Sequence, residues 1–120
     1  MPQIPDINQT ERWILETTLR ERYAETVPFE EAEAELRLLP SDRELSLCPV
    51  MFWTRDNCHF VVFKTGDSRY RCQFYYRLYQ QYGTGVHEYD DFTECVVSLL
   101  QAQADHEAQE RGDLPSKRRG

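Results

Sequence analysis

Two segments of the chain carry apolar side chains at the three- and four-residue spacing of an amphipathic helix. In the first segment these positions are Ile14, Leu15, Leu19 and Tyr23. Asn8 precedes the stripe and Glu11 follows three residues later, which is the spacing of a capping box. The pattern therefore predicts a helix that begins near Gln9 and ends before Pro28.

The second helical stripe lies near the carboxyl end of the chain. Its apolar positions are Phe92, Cys95, Val96, Leu99 and Leu100. Asp91 and Glu94 repeat the capping-box spacing, and Gly112 is a suitable carboxyl-terminal stop because glycine readily adopts positive φ. We expect residues 1–112 to form a single domain and residues 113–120 to be a disordered basic tail.

Between the two helices, the period of the pattern changes from helical to strand-like. Residues 45–79 contain three runs rich in Val, Phe, Trp, Tyr and Thr, and turn-forming residues separate them at 55–57 and 66–68. This arrangement predicts an antiparallel meander.

Hairpin loops of two residues fix a register for this meander. A loop at Asp56 and Asn57 sets Trp53 opposite Phe60. A loop at Gly66 and Asp67 sets Phe63 opposite Tyr70 and Val61 opposite Cys72. In this register both faces of the sheet carry apolar side chains, so we expect one helix to cover each face.

The segment 29–39 fits two patterns. A helical face is formed by Phe29, Ala32, Leu36 and Leu39, whereas Ala34, Leu36 and Leu38 alternate strictly with charged residues, as in a half-buried strand. We favour a strand at 33–39 after a short helical turn at 28–31. The predicted fold class is therefore α+β: an N-terminal helix, a three- or four-stranded antiparallel meander and a C-terminal helix.

The composition is that of an ordinary globular domain, and the net charge makes some classes of binding partner unfavourable. It has 120 residues, of which 40% are apolar, and its net charge is −7. An acidic sum opposes binding to nucleic acid and to anionic membranes. With neither an apolar run of membrane-spanning length nor a signal-peptide pattern at the start, we expect a cytoplasmic protein.

The sequence predicts no metal site, no cofactor and no catalytic residues. Four cysteines are present without a Cys-x-x-Cys pair, and the predicted register turns Cys58 to the face opposite Cys72. Cys58 and His59 are adjacent, but neighbouring strand residues face opposite ways, so the histidine cannot activate the thiol. The cysteines are interpreted as small buried hydrophobic residues, and a non-enzymatic protein is favoured.

One pattern is left without an internal explanation. The last predicted strand carries the Arg/Tyr strip, which we define as Arg69, Arg71, Tyr75, Arg77 and Tyr79, and Lys64 is expected near its start. Arginine and tyrosine are enriched at the energetic centres of protein interfaces. Alternatively, these arginines pair with the excess acids of the chain, such as Glu33 or Glu35.

Two functional hypotheses follow. The first is a protein-binding module (a regulator, inhibitor, adaptor or assembly factor) that uses the Arg/Tyr strip, with a homodimer also open. The second is a small-molecule- or metal-binding protein, with an enzyme included in this class, that has a pocket between the sheet and the C-terminal helix. The polar groups of that pocket are expected to be His59, Tyr76, His87 and Cys95.

Overall fold

A computed structural model of the protein describes residues 4–77 and 80–112. Two helices flank a five-stranded antiparallel sheet whose strands are hydrogen-bonded in chain order. The elements are α1 (Gln9–Tyr23), β1 (Glu30–Leu36), β2 (Ser46–Arg55), β3 (Cys58–Gly66), β4 (Arg69–Arg77), β5 (Gln80–Tyr82) and α2 (Phe92–Arg111). The predicted α+β class is confirmed, with five strands instead of three or four.

Both helices begin where the capping residues predict. The Asn8 side chain accepts a hydrogen bond of 2.8 Å from the Glu11 amide, and the Glu11 carboxylate accepts one of 3.0 Å from the Asn8 amide. Asp91 caps α2, and Gly112 ends it with a φ of 76°. Neither helix of the described ranges has the apolar length that crossing a lipid bilayer requires.

The segment after α1 is a strand, as favoured, but it runs over Glu30–Leu36 and so begins and ends earlier than the predicted 33–39. Glu30 and Glu31 already pair with Phe52 and Met51 of β2. The helical turn predicted at 28–31 is therefore wrong. The backbone pairing available along β2 outweighs the helical spacing of the apolar residues in this segment.

The first hairpin has the predicted register, and the second is displaced. Trp53 lies opposite Phe60, across a turn in which Asp56 and Asn57 both have positive φ. Phe63 lies opposite Arg71 and not opposite Tyr70. The second turn is formed one position later than predicted, and an irregularity between Lys64 and Gly66 leaves an unpaired residue, so the register shifts by one.

This shift of one residue inverts β4 and decides how the molecule is layered. Tyr70 and Phe74 now lie on the same side of the sheet as Phe60 and Val62. A single core forms there, and it includes Leu15 and Leu19 of α1 together with Cys95, Val96, Leu99 and Leu100 of α2. Both helices thus cover one side, and the expectation that each covers its own face is wrong.

A buried ion pair fastens the start of α1 to the sheet. The Lys64 ammonium donates 3.0 Å to the Glu11 carboxylate and 2.8 Å to the Asp6 carbonyl. The Tyr70 hydroxyl donates to the other Glu11 oxygen. Lys64 is only 3% exposed, so the prediction that it adjoins the Arg/Tyr strip is wrong. Its side chain turns to the helix-covered side of the sheet.

Candidate functional site: the open face of the sheet

The side of the sheet that faces away from both helices is the candidate site, and we call it the open face. It is formed by Phe52, Thr54, His59, Val61, Phe63, Gln73 and Tyr75. Strand alternation places these side chains opposite the core residues Trp53, Phe60 and Phe74. The face therefore combines three apolar side chains at its centre with polar and aromatic ones around them.

A shallow depression of about 230 Å³ lies on this face. Every residue that lines it belongs to β2, β3, β4 or β5, and none belongs to a helix. Phe52, Val61 and Phe63 are half-buried there, whereas Val50 on the same side of the sheet is only 4% exposed. The depression is open enough for a protein side chain or a short segment to enter.

Pairwise contacts hold the polar side chains of the open face in place. The His59 ring stacks on Tyr75 with 5.0 Å between ring centroids, and its Nδ1 lies 2.9 Å from the Thr54 hydroxyl. Gln73 donates a hydrogen bond of 3.0 Å to Gln81. These contacts hold the polar side chains around the depression in fixed positions.

The two arginines at the start of the strip differ in their surroundings. Arg71 donates 3.0 Å to the Leu38 carbonyl and 3.4 Å to Glu88, and its side chain is 20% exposed. The Arg69 guanidinium lies 3.6 Å from the same Glu88 carboxylate, but its side chain is 61% exposed. These two arginines therefore form ion pairs with a carboxylate of the same chain, as the alternative interpretation expected. The carboxylate is that of Glu88 and not that of Glu33 or Glu35.

The other three members of the Arg/Tyr strip are Tyr75, Arg77 and Tyr79, and the structure describes the first two. Tyr75 lies at the centre of β4, opposite His59 and on the open face. Arg77 is exposed at the end of β4, opposite Gln80. Tyr79 lies outside the described residues. The outer edge of β4 is partly occupied, because β5 pairs with it at Phe74, Tyr75 and Arg77 and Tyr89 pairs with Tyr70.

The four polar groups expected in a pocket under the C-terminal helix are not brought together. His59 is on the open face and His87 is exposed in the segment before α2. Tyr76 instead fastens β4 to α2: its hydroxyl donates 2.7 Å to Glu107 and accepts 3.1 Å from Gln103. Burial raises the pKa of the Tyr76 hydroxyl above its usual value of 10.0.

Cys48 is buried on the side of the sheet that carries Val50 and Phe63, whereas Cys58, Cys72 and Cys95 lie on the helix-covered side. Cys58 and Cys72 share that side, so the prediction that they face opposite ways is wrong, again because of the register shift. Burial raises the pKa of Cys58 to about 12, which makes this thiol a poor nucleophile. The hydrogen bond with Cys72 and burial raise the pKa of Cys95. Within 4–77 and 80–112, no three His, Cys, Asp or Glu residues are placed to hold a metal ion.

The sequence reasoning missed the apolar half of the open face. Phe52, Val61 and Phe63 alternate with core residues along their strands, but the predicted register placed them beneath a helix. The signal that could have found them is the row of polar residues that alternates with apolar residues along β4. That row marks the solvent-facing side of the sheet, and in the correct register Phe52, Val61 and Phe63 lie on the same side. Comparisons with protein-family models, with curated proteins and with solved structures find no match.

Proposed function

We propose that the protein is a non-enzymatic, cytoplasmic protein-binding module, acting as a regulator, inhibitor, adaptor or assembly factor, and that the open face is its docking surface. The observation that carries this proposal is the placement of both helices on one side of the sheet. The opposite side keeps Phe52, Val61 and Phe63 without a covering layer of helix.

The chemistry of the open face fits a protein partner. An apolar centre surrounded by polar groups is the usual composition of a protein interface, and Tyr and Arg are frequent at its energetic centres. Complete burial of a Val or Phe side chain stabilises by roughly 1.5–3 kcal/mol, so even part of this at Phe52, Val61 and Phe63 favours docking. The net charge of −7 and the carboxylate of Glu88 beside Arg69 oppose nucleic acid on this face.

The test is capture of a partner from the native host by tagged protein, with two matched double variants. Phe63→Thr with Tyr75→Thr removes aromatic area from the open face and keeps residues that favour strands. The control, Trp13→Gln with Val97→Gln, changes two exposed helical side chains, 63% and 50% exposed respectively. Thermal melting of each variant is measured first to show that the fold is kept.

We expect one host protein to be recovered with the wild type and with the helical control, and to be reduced about tenfold with the open-face variant. Equal recovery with the open-face variant, at unchanged melting temperature, would overturn the proposal. Recovery that disappears after nuclease treatment would indicate a nucleic-acid partner and would also contradict it.

A further inference from the structure

The outer edge of β1 is free for backbone pairing. β1 is the first strand of the sheet, and among residues 4–77 and 80–112 it pairs only with β2. Its side chains are exposed from Glu30 to Glu33 and again at Glu35. In an edge strand every second residue directs its N–H and C=O outward, where another strand can pair with them.

The helix side of this edge already binds one guanidinium. Glu31 receives two hydrogen bonds from Arg12 of α1, one of 2.6 Å from Nε and one of 3.0 Å from Nη2. These bonds lower the pKa of the Glu31 carboxyl. Glu33 and Glu35 continue the same row, and in the described ranges no ion pair or hydrogen bond reaches their carboxylates. Arg12 thus shows how a basic side chain fits this row.

The other side of β1 carries two small apolar residues at its centre, Ala32 and Ala34, and Glu30 lies beside Phe52 at one end. Ala32 pairs with Val50 and Ala34 pairs with Cys48, and both β2 residues are buried. Beyond them the surface continues into the open face at Phe52. An apolar side chain on an added strand would lie over these alanines and extend the apolar surface of the sheet.

We infer that the edge of β1 docks an extended segment in which apolar residues alternate with Lys or Arg. The segment adds a strand next to β1. Its basic side chains lie beside Glu33 and Glu35 on the helix side of the sheet, and its apolar side chains lie beside Ala32 and Ala34 on the other side. The inference rests on the proposed function in one respect, because the segment belongs to the docked protein. A second copy of β1 is a poor occupant, since glutamates would face glutamates across the new pair.

The test uses a short fluorescein-labelled peptide in which Lys and Val alternate, titrated against the wild-type protein by fluorescence anisotropy. Two comparison peptides have the same composition in blocks, or Glu in place of Lys. The variant is Glu33→Lys with Glu35→Lys, and its matched control is Glu21→Lys with Glu110→Lys, which changes the net charge equally at two exposed helical positions. Hydrogen exchange at the β1 amides is followed in parallel.

We expect the alternating peptide to bind best and to slow exchange in β1. The variant Glu33→Lys with Glu35→Lys reverses two charges beside the added strand and should weaken the affinity for this peptide about tenfold. The helical control should weaken the affinity about twofold. Equal loss in both variants, or no added protection in β1, would overturn the inference. The Phe63→Thr and Tyr75→Thr variant should keep peptide binding within about twofold, so failure of the edge and failure of the open face are distinguishable.

Discussion

Arg69 and Arg71 show how one residue type takes two roles within a single strand. Both lie beside Glu88, yet Arg71 is largely enclosed and also holds the Leu38 carbonyl, whereas Arg69 extends into solvent. The sequence places them in the same row and offers no means to separate them. Their different burial arises from the 37–45 segment, whose path depends on tertiary packing.

Replacing each arginine by alanine should separate these roles. Arg71→Ala removes two hydrogen bonds from a partly buried site, and we expect it to lower the free energy of unfolding by about 1–2 kcal/mol. Arg69→Ala removes an exposed ion pair and should cost under about 0.5 kcal/mol. Urea unfolding measures both. Equal costs would show that the burial of Arg71 and its bond to the Leu38 carbonyl add no stability.

The buried contact of Lys64 with Glu11 should be the most sensitive polar site. Glu11→Gln leaves the Lys64 ammonium buried without a countercharge, so we expect a loss of about 3 kcal/mol in unfolding free energy. Glu16→Gln is the control, because its partner Arg20 is 3.7 Å away on the surface, and it should cost under about 0.5 kcal/mol. A cost below about 1 kcal/mol for Glu11→Gln would contradict this geometry.

The Cys58 thiol gives the stability a dependence on alkaline pH. Burial raises its pKa from 9.0 to about 12, so the folded state keeps the neutral thiol while the unfolded chain ionises. The part of the unfolding free energy that depends on a neutral Cys58 thiol is fully present below pH 9. It is lost as the pH rises from 9 towards 12. We expect wild-type protein to lose up to about 1 kcal/mol more per pH unit than Cys58→Ala in that window. Parallel pH profiles would contradict the assignment.

Among the elements, those defined by local chemistry are predictable and those defined by register are not. The capping residues Asn8 and Asp91 mark both helix starts, and the Asp56-Asn57 turn sets the first hairpin. The register of the second hairpin depends on one extra, unpaired residue between Lys64 and Gly66, and no local sequence pattern predicts that residue. Since that residue inverts β4, the two faces of the sheet could not be assigned from the sequence.

Two phenylalanines on β3 test the assignment of faces. Phe60 is 1% exposed and packs between Trp53 and Phe74, so Phe60→Ala should cost about 3–5 kcal/mol. Phe63 lies on the open face, and we expect Phe63→Ala to cost roughly 1 kcal/mol because its side chain is only half-buried. Thermal or urea unfolding of the pair checks this. A larger cost at Phe63 would mean that the faces are exchanged.

For the molecule as a whole, the fold class followed from the sequence and the layering did not. The open face tolerates solvent because the register shift supplies it with Gln73 and Tyr75 in place of the apolar partners that the sequence suggested. One side then needs two helices and the other needs none. The candidate site is the product of this asymmetry, and so Tyr75 was found from the sequence while Phe63 was not.

Site-specific photo-crosslinking in the native host tests the central claim most directly. A benzophenone side chain is placed at position 63 or 75 on the open face, and at position 13 or 97 on the exposed helical surface, and crosslinked peptides are identified by mass spectrometry. The proposed docking surface predicts that positions 63 and 75 crosslink to the same host protein and that positions 13 and 97 do not. Crosslinks from positions 13 and 97, with none from 63 and 75, would contradict it.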